Sequence, residues 1–292
     1  MTNLRDLRLR MRAIRQTLQV TKAMKLISTA KLRKGRRVLS DTEPYFSRVQ
    51  MAMYDILSGE SLGRSKYLAV TGMKEASRSA IVVISSDKGL AGGYNANVFR
   101  HVKELCARVK NPVLILIGAV GYRYFIHSPW VILENFSYKS RLPTMDDAQE
   151  ISDFILSQYL WGMFDEVYIV YTHMYSSVKL LPRELKILPL SEENMREEFG
   201  AKLGRQKGFI FEYYPSKRRV FDSFVPMYIR GVIYGSLIEA YASEHNARMS
   251  AMDEASKNAE EMLAGLQISY NRIRQAGITQ EMSEIVGGAE AL

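Results

Sequence analysis

At both ends of the chain, apolar residues recur at alternating steps of three and four, and this spacing constrains the fold more than any motif does. Near the start, Leu4, Leu7, Met11, Ile14 and Leu18 step by 3, 4, 3, 4, which is the seam of a coiled coil. The same register then puts Thr21, Lys25 and Ser28 on the seam, with Met24 and Ile27 beside it. The expectation is that the seam drifts around the helix to the apolar pair. Pro44 is expected to kink or interrupt this helix. Near the other end no proline follows Pro226, and Met252, Ala255, Ala259, Met262, Leu266 and Ser269 step by 3, 4, 3, 4, 3. Ile273, Ile278, Met282 and Ile285 continue with a shift. A helix over about 226–287 is roughly 90 Å long at 1.5 Å per residue. Such a helix needs company, and the first helix is the expected partner.

Between the ends lies an alternation of strand and helix signals. Residues 80–86, 113–118, 130–136, 166–174 and 178–190 read as strands. Stretches 96–109 and 119–127 read as helices, and Thr144 with Asp147 three residues on opens another, to Trp161, with a capping-box pattern. Alternating strands and helices imply a mainly parallel sheet covered on both faces. The predicted class is α/β: a long antiparallel two-helix coiled coil formed by the N- and C-terminal helices, with an inserted Rossmann-like α/β domain. The expected parts are residues 1–58 (helix), 75–190 (α/β domain), 191–225 (loop or connector) and 226–292 (helix). An ordinary helical bundle would show further long helices, which the middle of the chain does not supply.

Charge is concentrated at one end. The 292 residues carry a net charge of +9, and the first 40 hold twelve Lys and Arg against the single acid Asp6, so the remaining 252 carry −2. A basic arm of this kind suits a nucleic acid, an anionic membrane surface, an acidic protein partner, or simply a solvated helix face. No apolar run reaches the roughly 18 residues that a spanning helix needs. The basic start has no apolar stretch behind it, so it is not read as a secretory signal. One cysteine, Cys106, excludes an internal disulfide framework, and the four histidines form no H-x-x-x-H pair.

Chemical motifs are weak. SDKGLAGGYN (86–95) follows a strand and precedes a helix, where a phosphate loop would lie. It matches neither the Walker pattern nor the dinucleotide fingerprint, and reads as a tight turn. Asp87 and Glu104 have no partner carboxylate or activating histidine nearby in sequence. Cys106 reads as a small buried hydrophobe, and Tyr122, Tyr124 and Phe125 as packing residues. No catalytic residue, cofactor site or metal site is expected. A nucleotide-binding enzyme built on the α/β domain and a nucleic-acid-binding coiled coil are the rival classes.

Longer segments resemble a known family. Residues 4–32, with Val20-Thr21-Lys22-Ala23-Met24 and Ala30-Lys31-Leu32, are similar to the amino-terminal signature of F-type ATP synthase gamma subunits. ASEHNARMSAMDEASKNA (242–259) and YNRIRQAGITQEMSEIVGGAEAL (270–292) resemble the carboxyl-terminal signature, and SDKGLAGGYN resembles the family's glycine turn. The resemblance runs from Leu4 to Leu292 in order. It implies a non-catalytic central rotor that transmits torque between a proton-driven c-ring and three alpha and three beta subunits. The epsilon subunit is implied as a further partner, nucleic acid is not, and the location is the cytoplasmic face of the cell membrane without a direct span. It implies that Lys22, Met24 and Arg248 meet the beta subunits, and that Arg274, Gln275 and Thr279 make polar contacts with beta loops. Ile285, Val286 and Leu292 would then run in a sleeve at the top of the ring. Ala91 stands where many members have cysteine, and EYYPSKRRVFD (212–222) is basic where many are acidic. No cysteine-bearing regulatory insert is present, so thiol regulation is not expected. With the signature starting at Leu4, no leader is expected and a bacterial enzyme is favoured.

Overall fold

A computed structural model describes residues 4–57, 62, 65–68, 77–138, 141–191, 193 and 212–290, with side chains as far as 286. The elements run α1 (Leu4–Leu57), β1 (Ser79–Ile84), α2 (Tyr94–Arg108), β2 (Pro112–Ile117), α3 (Ala119–Phe125), β3 (Val131–Phe136), α4 (Met145–Leu160), β4 (Glu166–Met174), β5 (Leu180–Leu188) and α5 (Lys217–Glu290). The chain divides into two compact units, one of Met1–Thr29 with Arg248–Leu292 and one of Ala30–Ala247.

The larger unit is built on a five-stranded sheet in the order β3-β2-β1-β4-β5. β1 pairs parallel with β2 and β4, β2 pairs parallel with β3, and only β5 is antiparallel to its neighbour. The central strands β1 and β2 are nearly continuous apolar runs because both faces are buried. Successive side chains point to opposite faces. Ala80, Val82 and Ile84 therefore join Ile115 and Ile169 in one core with Ile151 and Ile155 of α4 and Phe221, Val225 and Ile229 of α5. Ile81 and Val83 join Leu114 and Leu116 in the other, against Val98, Val102 and Leu105 of α2 and Phe125 of α3.

Neither proline ends a helix. Pro44 lies inside α1 and Pro226 inside α5, which starts at Lys217 and not near 226. A proline inside a helix forfeits one backbone hydrogen bond. Here the burial of Phe221, Val225, Tyr228 and Ile229 around Pro226 supplies apolar stabilisation that local propensity lacks. Of the expected 191–225 connector, residues 192 and 194–211 lie outside the described residues, and 217–225 are helical.

The seam of α1 does not drift. Leu4, Leu7, Met11, Ile14, Leu18, Thr21, Lys25, Ser28, Leu32, Gly35, Leu39, Thr42, Phe46, Val49, Met53 and Ile56 hold one alternation of three and four, and none is exposed. Ile27, expected to take over the stripe, is 58% exposed. Polar Thr21 and Ser28 stay on the seam and are buried. On α5 the corresponding row is Met249, Met252, Ser256, Ala259, Leu263, Leu266, Tyr270 and Ile273. The expected Ala255, Met262 and Ser269 are each one residue early, and Met262 is 51% exposed. Met262 and Leu263 are adjacent and both apolar, so hydropathy alone could not phase this helix. Beyond Ile273 every described side chain is exposed, so Ile278, Met282 and Ile285 do not extend the buried row.

Candidate functional site

Every residue that the sequence singled out for partner contact falls in the smaller unit. Among the described residues, polar contacts join its two helical segments. Arg8 donates to the Tyr270 hydroxyl from Nε at 3.0 Å and from a terminal nitrogen at 2.6 Å. The Thr21 and Ser256 hydroxyls lie 2.8 Å apart. Lys22 Nζ lies 2.7 Å from Glu260 Oε1, and Lys25 Nζ donates to Asp253 Oδ1 at 2.5 Å. From Arg8 to Lys25 the partners on α5 fall from 270 to 253. Hydrogen bonds from Lys25 and then Lys257 hold the Asp253 carboxyl below the usual carboxylate range.

The buried hydroxyl pair explains how polar residues occupy seam positions. Thr21 Oγ1 also donates to Leu18 O at 3.0 Å, and Ser256 Oγ to Met252 O at 2.7 Å. Each hydroxyl has one proton, so two protons serve three contacts. A buried hydroxyl without a partner is costly, and here each has its own helix carbonyl to fall back on.

The predicted contact residues occupy different environments. Lys22 is exposed and already paired with Glu260. Met24 is half-buried. Arg248 is 6% exposed, so its side chain presents little to a partner. Arg274, Gln275 and Thr279 are all exposed, and the Thr279 hydroxyl donates back to Gln275 O at 3.0 Å. Ile285 is 71% exposed and Val286 is exposed as well, while Leu292 lies outside the described residues. The sequence reading missed Leu26, which is 71% exposed next to Ile27. The signal was available: both stand off the strict three-four row. Ile278 and Met282 on the second helix are exposed apolar side chains as well.

The glycine turn of the larger unit is filled by its own side chains. Asn95 Oδ1 accepts from Ser86 N at 3.1 Å, and Asn95 Nδ2 donates to Ser86 Oγ at 2.7 Å. Asp87 Oδ1 accepts from Ala119 N at 3.0 Å and from Ser137 Oγ at 3.1 Å. These are bracing contacts between loops. Burial pushes the Cys106 thiol up to about 12, which keeps it protonated and unreactive at neutral pH. Among the described residues no group of three His, Cys, Asp or Glu is placed to hold a metal ion, and no helix is long and apolar enough to cross a membrane.

The family model described as ATP synthase matches residues 3–292. The ATP synthase gamma chain of Ruminiclostridium cellulolyticum is 44% identical over 294 residues, covering 99% of each chain. The sodium-ion-specific ATP synthase gamma chain of Acetobacterium woodii is 36% identical over 301 residues, again 99% of each. Among solved structures, a chain of the Euglena gracilis mitochondrial ATP synthase (OSCP/F1/c-ring) aligns with a TM-score of 0.66 at 17% identity, over 99% of this chain and 94% of that one. A chain of the Tetrahymena thermophila mitochondrial ATP synthase central stalk and c-ring aligns with a TM-score of 0.61 at 22% identity, over 81% and 99%. An uninterrupted match at this identity, on a fold of two helical ends around a five-stranded sheet, makes the chain a member of the ATP synthase gamma chain family.

Proposed function

We propose that this gamma chain is the non-catalytic rotor of an F-type ATP synthase, carrying torque between an ion-driven c-ring and a ring of three alpha and three beta subunits. The observation that carries the proposal is the surface left uncovered by the chain's own packing. Leu26 and Ile27 on α1, and Ile278, Met282, Ile285 and Val286 on α5, are apolar and exposed. In this reading those side chains meet the alpha and beta subunits. Epsilon and the c-ring are then the partners of the α/β domain. The working location is the cytoplasmic face of the cell membrane, held by partners and not by a span.

The same reading makes the two helical ends an antiparallel coiled coil. Its support is the shared three-four spacing on both helices and the pairing of Arg8 with Tyr270 and of Lys25 with Asp253. A seven-residue repeat kept over many turns favours a left-handed supercoil. The role of the rotor is to present unlike faces to three chemically identical partners, because a partner shifts an equilibrium only through differential contacts with its states. That asymmetry does not come from a drifting seam. It comes from placing Leu26 one turn above Lys22, and Ile27 beside it, on the surface of one helix, with Arg274 and Gln275 on the other. Lys22, Met24, Arg274, Gln275 and Thr279 are the proposed contacts with beta, and Ile285, Val286 and Leu292 the proposed tip in the sleeve. Arg248, being buried, acts in this reading by bracing its own helix where beta approaches.

The test is co-assembly. Purified chain mixed with alpha and beta subunits should give one particle whose ATP hydrolysis turns the gamma chain, and the chain alone should not hydrolyse ATP. Turnover by the isolated chain, or failure to enter the particle, would overturn the proposal.

A further inference from the structure

The hairpin between β4 and β5 holds an apolar side chain out of the fold. Val178, at its tip, is 94% exposed, the most exposed large apolar side chain among the described residues. Tyr175 and Leu181 on either side are exposed as well. Turns are dominated by Gly, Pro, Asn, Asp and Ser. Ser176 and Ser177 follow that rule and Val178 does not. A single exposed valine is ordinary, but this one is gathered with two other apolar side chains on a tip that is held in place.

The bracing comes from the hairpin and from both long helices. Ser176 Oγ accepts from Val178 N at 3.3 Å and from Lys179 N at 3.0 Å, and Tyr175 N donates to Lys179 O at 3.1 Å. Asn246 Nδ2 of α5 donates to Ser177 O at 2.7 Å, and Arg36 of α1 donates to Ser177 Oγ at 3.1 Å. Tyr175 packs edge-on against the His173 ring, with centroids 4.4 Å apart. A partner that meets Val178 therefore has little loop entropy to overcome.

The surroundings of the tip are positive. Besides Ser177, Arg36 reaches only the Met174 sulfur, at 3.4 Å. Lys179 Nζ lies over the Tyr175 ring, 5.6 Å from its centroid. Arg33, exposed, stands one turn before Arg36 on the same face of α1. Residues 174–181 contain no acid, and neither do residues 30–40. Asp41, the next acid on α1, is taken up by Arg37, and Glu239 of α5 by His173. Three cations thus surround an apolar tip without a carboxylate from their own segments to answer them.

We propose that this tip, with Arg33 and Arg36 beside it, docks an acidic segment of a partner protein. Val178 enters an apolar depression of that segment, and carboxylates around the depression meet Lys179 and Arg36. Complementary charge guides the encounter, and the valine fixes where the partner sits. A nucleic acid would match the cations but not an aliphatic tip, because bases stack on aromatic rings. The rotor reading enters only as the source of the partner, a subunit of the same complex. The residues used are distinct from the contacts proposed above.

The experiment places photoreactive p-benzoylphenylalanine at Val178 of the full chain, in the assembled complex, and identifies the peptide captured on irradiation. The expected result is one segment of a partner subunit with an excess of Asp and Glu. Lys179→Glu and Arg36→Glu should each lower the yield by about fivefold, the size of one exposed ion pair, and added salt should lower it as well. Arg36→Glu also removes the bond to Ser177, so Lys179→Glu, which alters only a contact with an exposed ring, serves as the second variant. Capture of lipid, of a second copy of this chain or of a segment without excess acid overturns the proposal, as does a yield unchanged in both variants. A particle that forms without any crosslink overturns this proposal and leaves the rotor reading standing, whereas a chain that enters no particle overturns both.

Discussion

Single residues at tight places carry consequences out of proportion to their size. Gly118 closes the β2–α3 turn at φ +101°, and a Cβ there would lie 2.3 Å from Ser85 O. Gly118→Ala is expected to cost the upper end of about 1–3 kcal/mol, read as a lower unfolding midpoint with intact secondary structure. Asp147 closes the capping box of α4 with Thr144 and receives two hydrogen bonds from Arg141. Burial pushes its carboxyl upward, but Arg141 and Thr144 prevail and hold it below the ordinary value. A depressed carboxylate stabilises the fold above its unfolded pKa, near 4, and loses that contribution as pH falls through the folded value. Asp147→Asn should therefore flatten the fall in stability below about pH 4 and cost about 0.5–2 kcal/mol at neutral pH. Met24, half-buried, is a proposed contact with beta, and by the family resemblance the beta loop that it meets is acidic. Met24→Lys should lower ions pumped per ATP in vesicles while leaving assembly intact, since an added ion pair must be broken at each step of rotation. Unchanged pumping per ATP would make Met24 ordinary seam packing.

At the scale of elements, the two long helices are matched by spacing and not by hydropathy alone. Thr21 and Ser256 show this best, because two hydroxyls face each other on rows otherwise mostly apolar. Thr21→Val alone removes the contact between the two helices, leaves Ser256 bonded to Met252 O, and should cost about 1 kcal/mol. Thr21→Val with Ser256→Ala should cost less than the sum of the two single changes. A double-mutant cycle by thermal unfolding measures the difference, and strict additivity would show that the 2.8 Å contact carries no coupling. The sheet obeys a plainer rule. Its alternating side chains fill two separate cores, and the central strands β1 and β2 read as apolar runs for that reason. Strand and helix signals in this region were legible to within a few residues, down to the Thr144–Asp147 capping box.

For the molecule as a whole, load should fall on the paired part of α5 and not on its tip. Met252, Ser256, Ala259, Leu263, Leu266, Tyr270 and Ile273 form the sheltered row, and the following described side chains are exposed. Deleting 287–292 should leave assembly and ATP-driven rotation largely intact. Cutting back past Ile273 removes Arg274, Gln275 and Thr279 with the end of that row, and should lower both torque and particle yield. Rotation torque and yield across a truncation series check this. Complete loss of rotation on removing only the last six residues would make the tip the element that bears load.

The sequence alone determined the two long helices, the strand order of signals between them, and the family, because periodicity, turn residues and long terminal motifs are local properties of the chain. It also determined that SDKGLAGGYN is a turn, since its spacing cannot make a phosphate loop. Tertiary structure decided the phase of each helix. Where Met262 stands beside Leu263, or Ser256 beside Ala255, neighbours of similar polarity leave the rotation about the helix axis undetermined until another helix chooses one. It decided that Thr21 and Ser28 stay buried, because a hydroxyl becomes acceptable inside once a carbonyl or another hydroxyl answers it. It decided that Pro226 lies within a helix, because burial around it outweighs one lost hydrogen bond. It also decided that Arg248 is internal while Leu26 and Ile285 are exposed, since exposure depends on what packs over a residue and not on the residue's own chemistry.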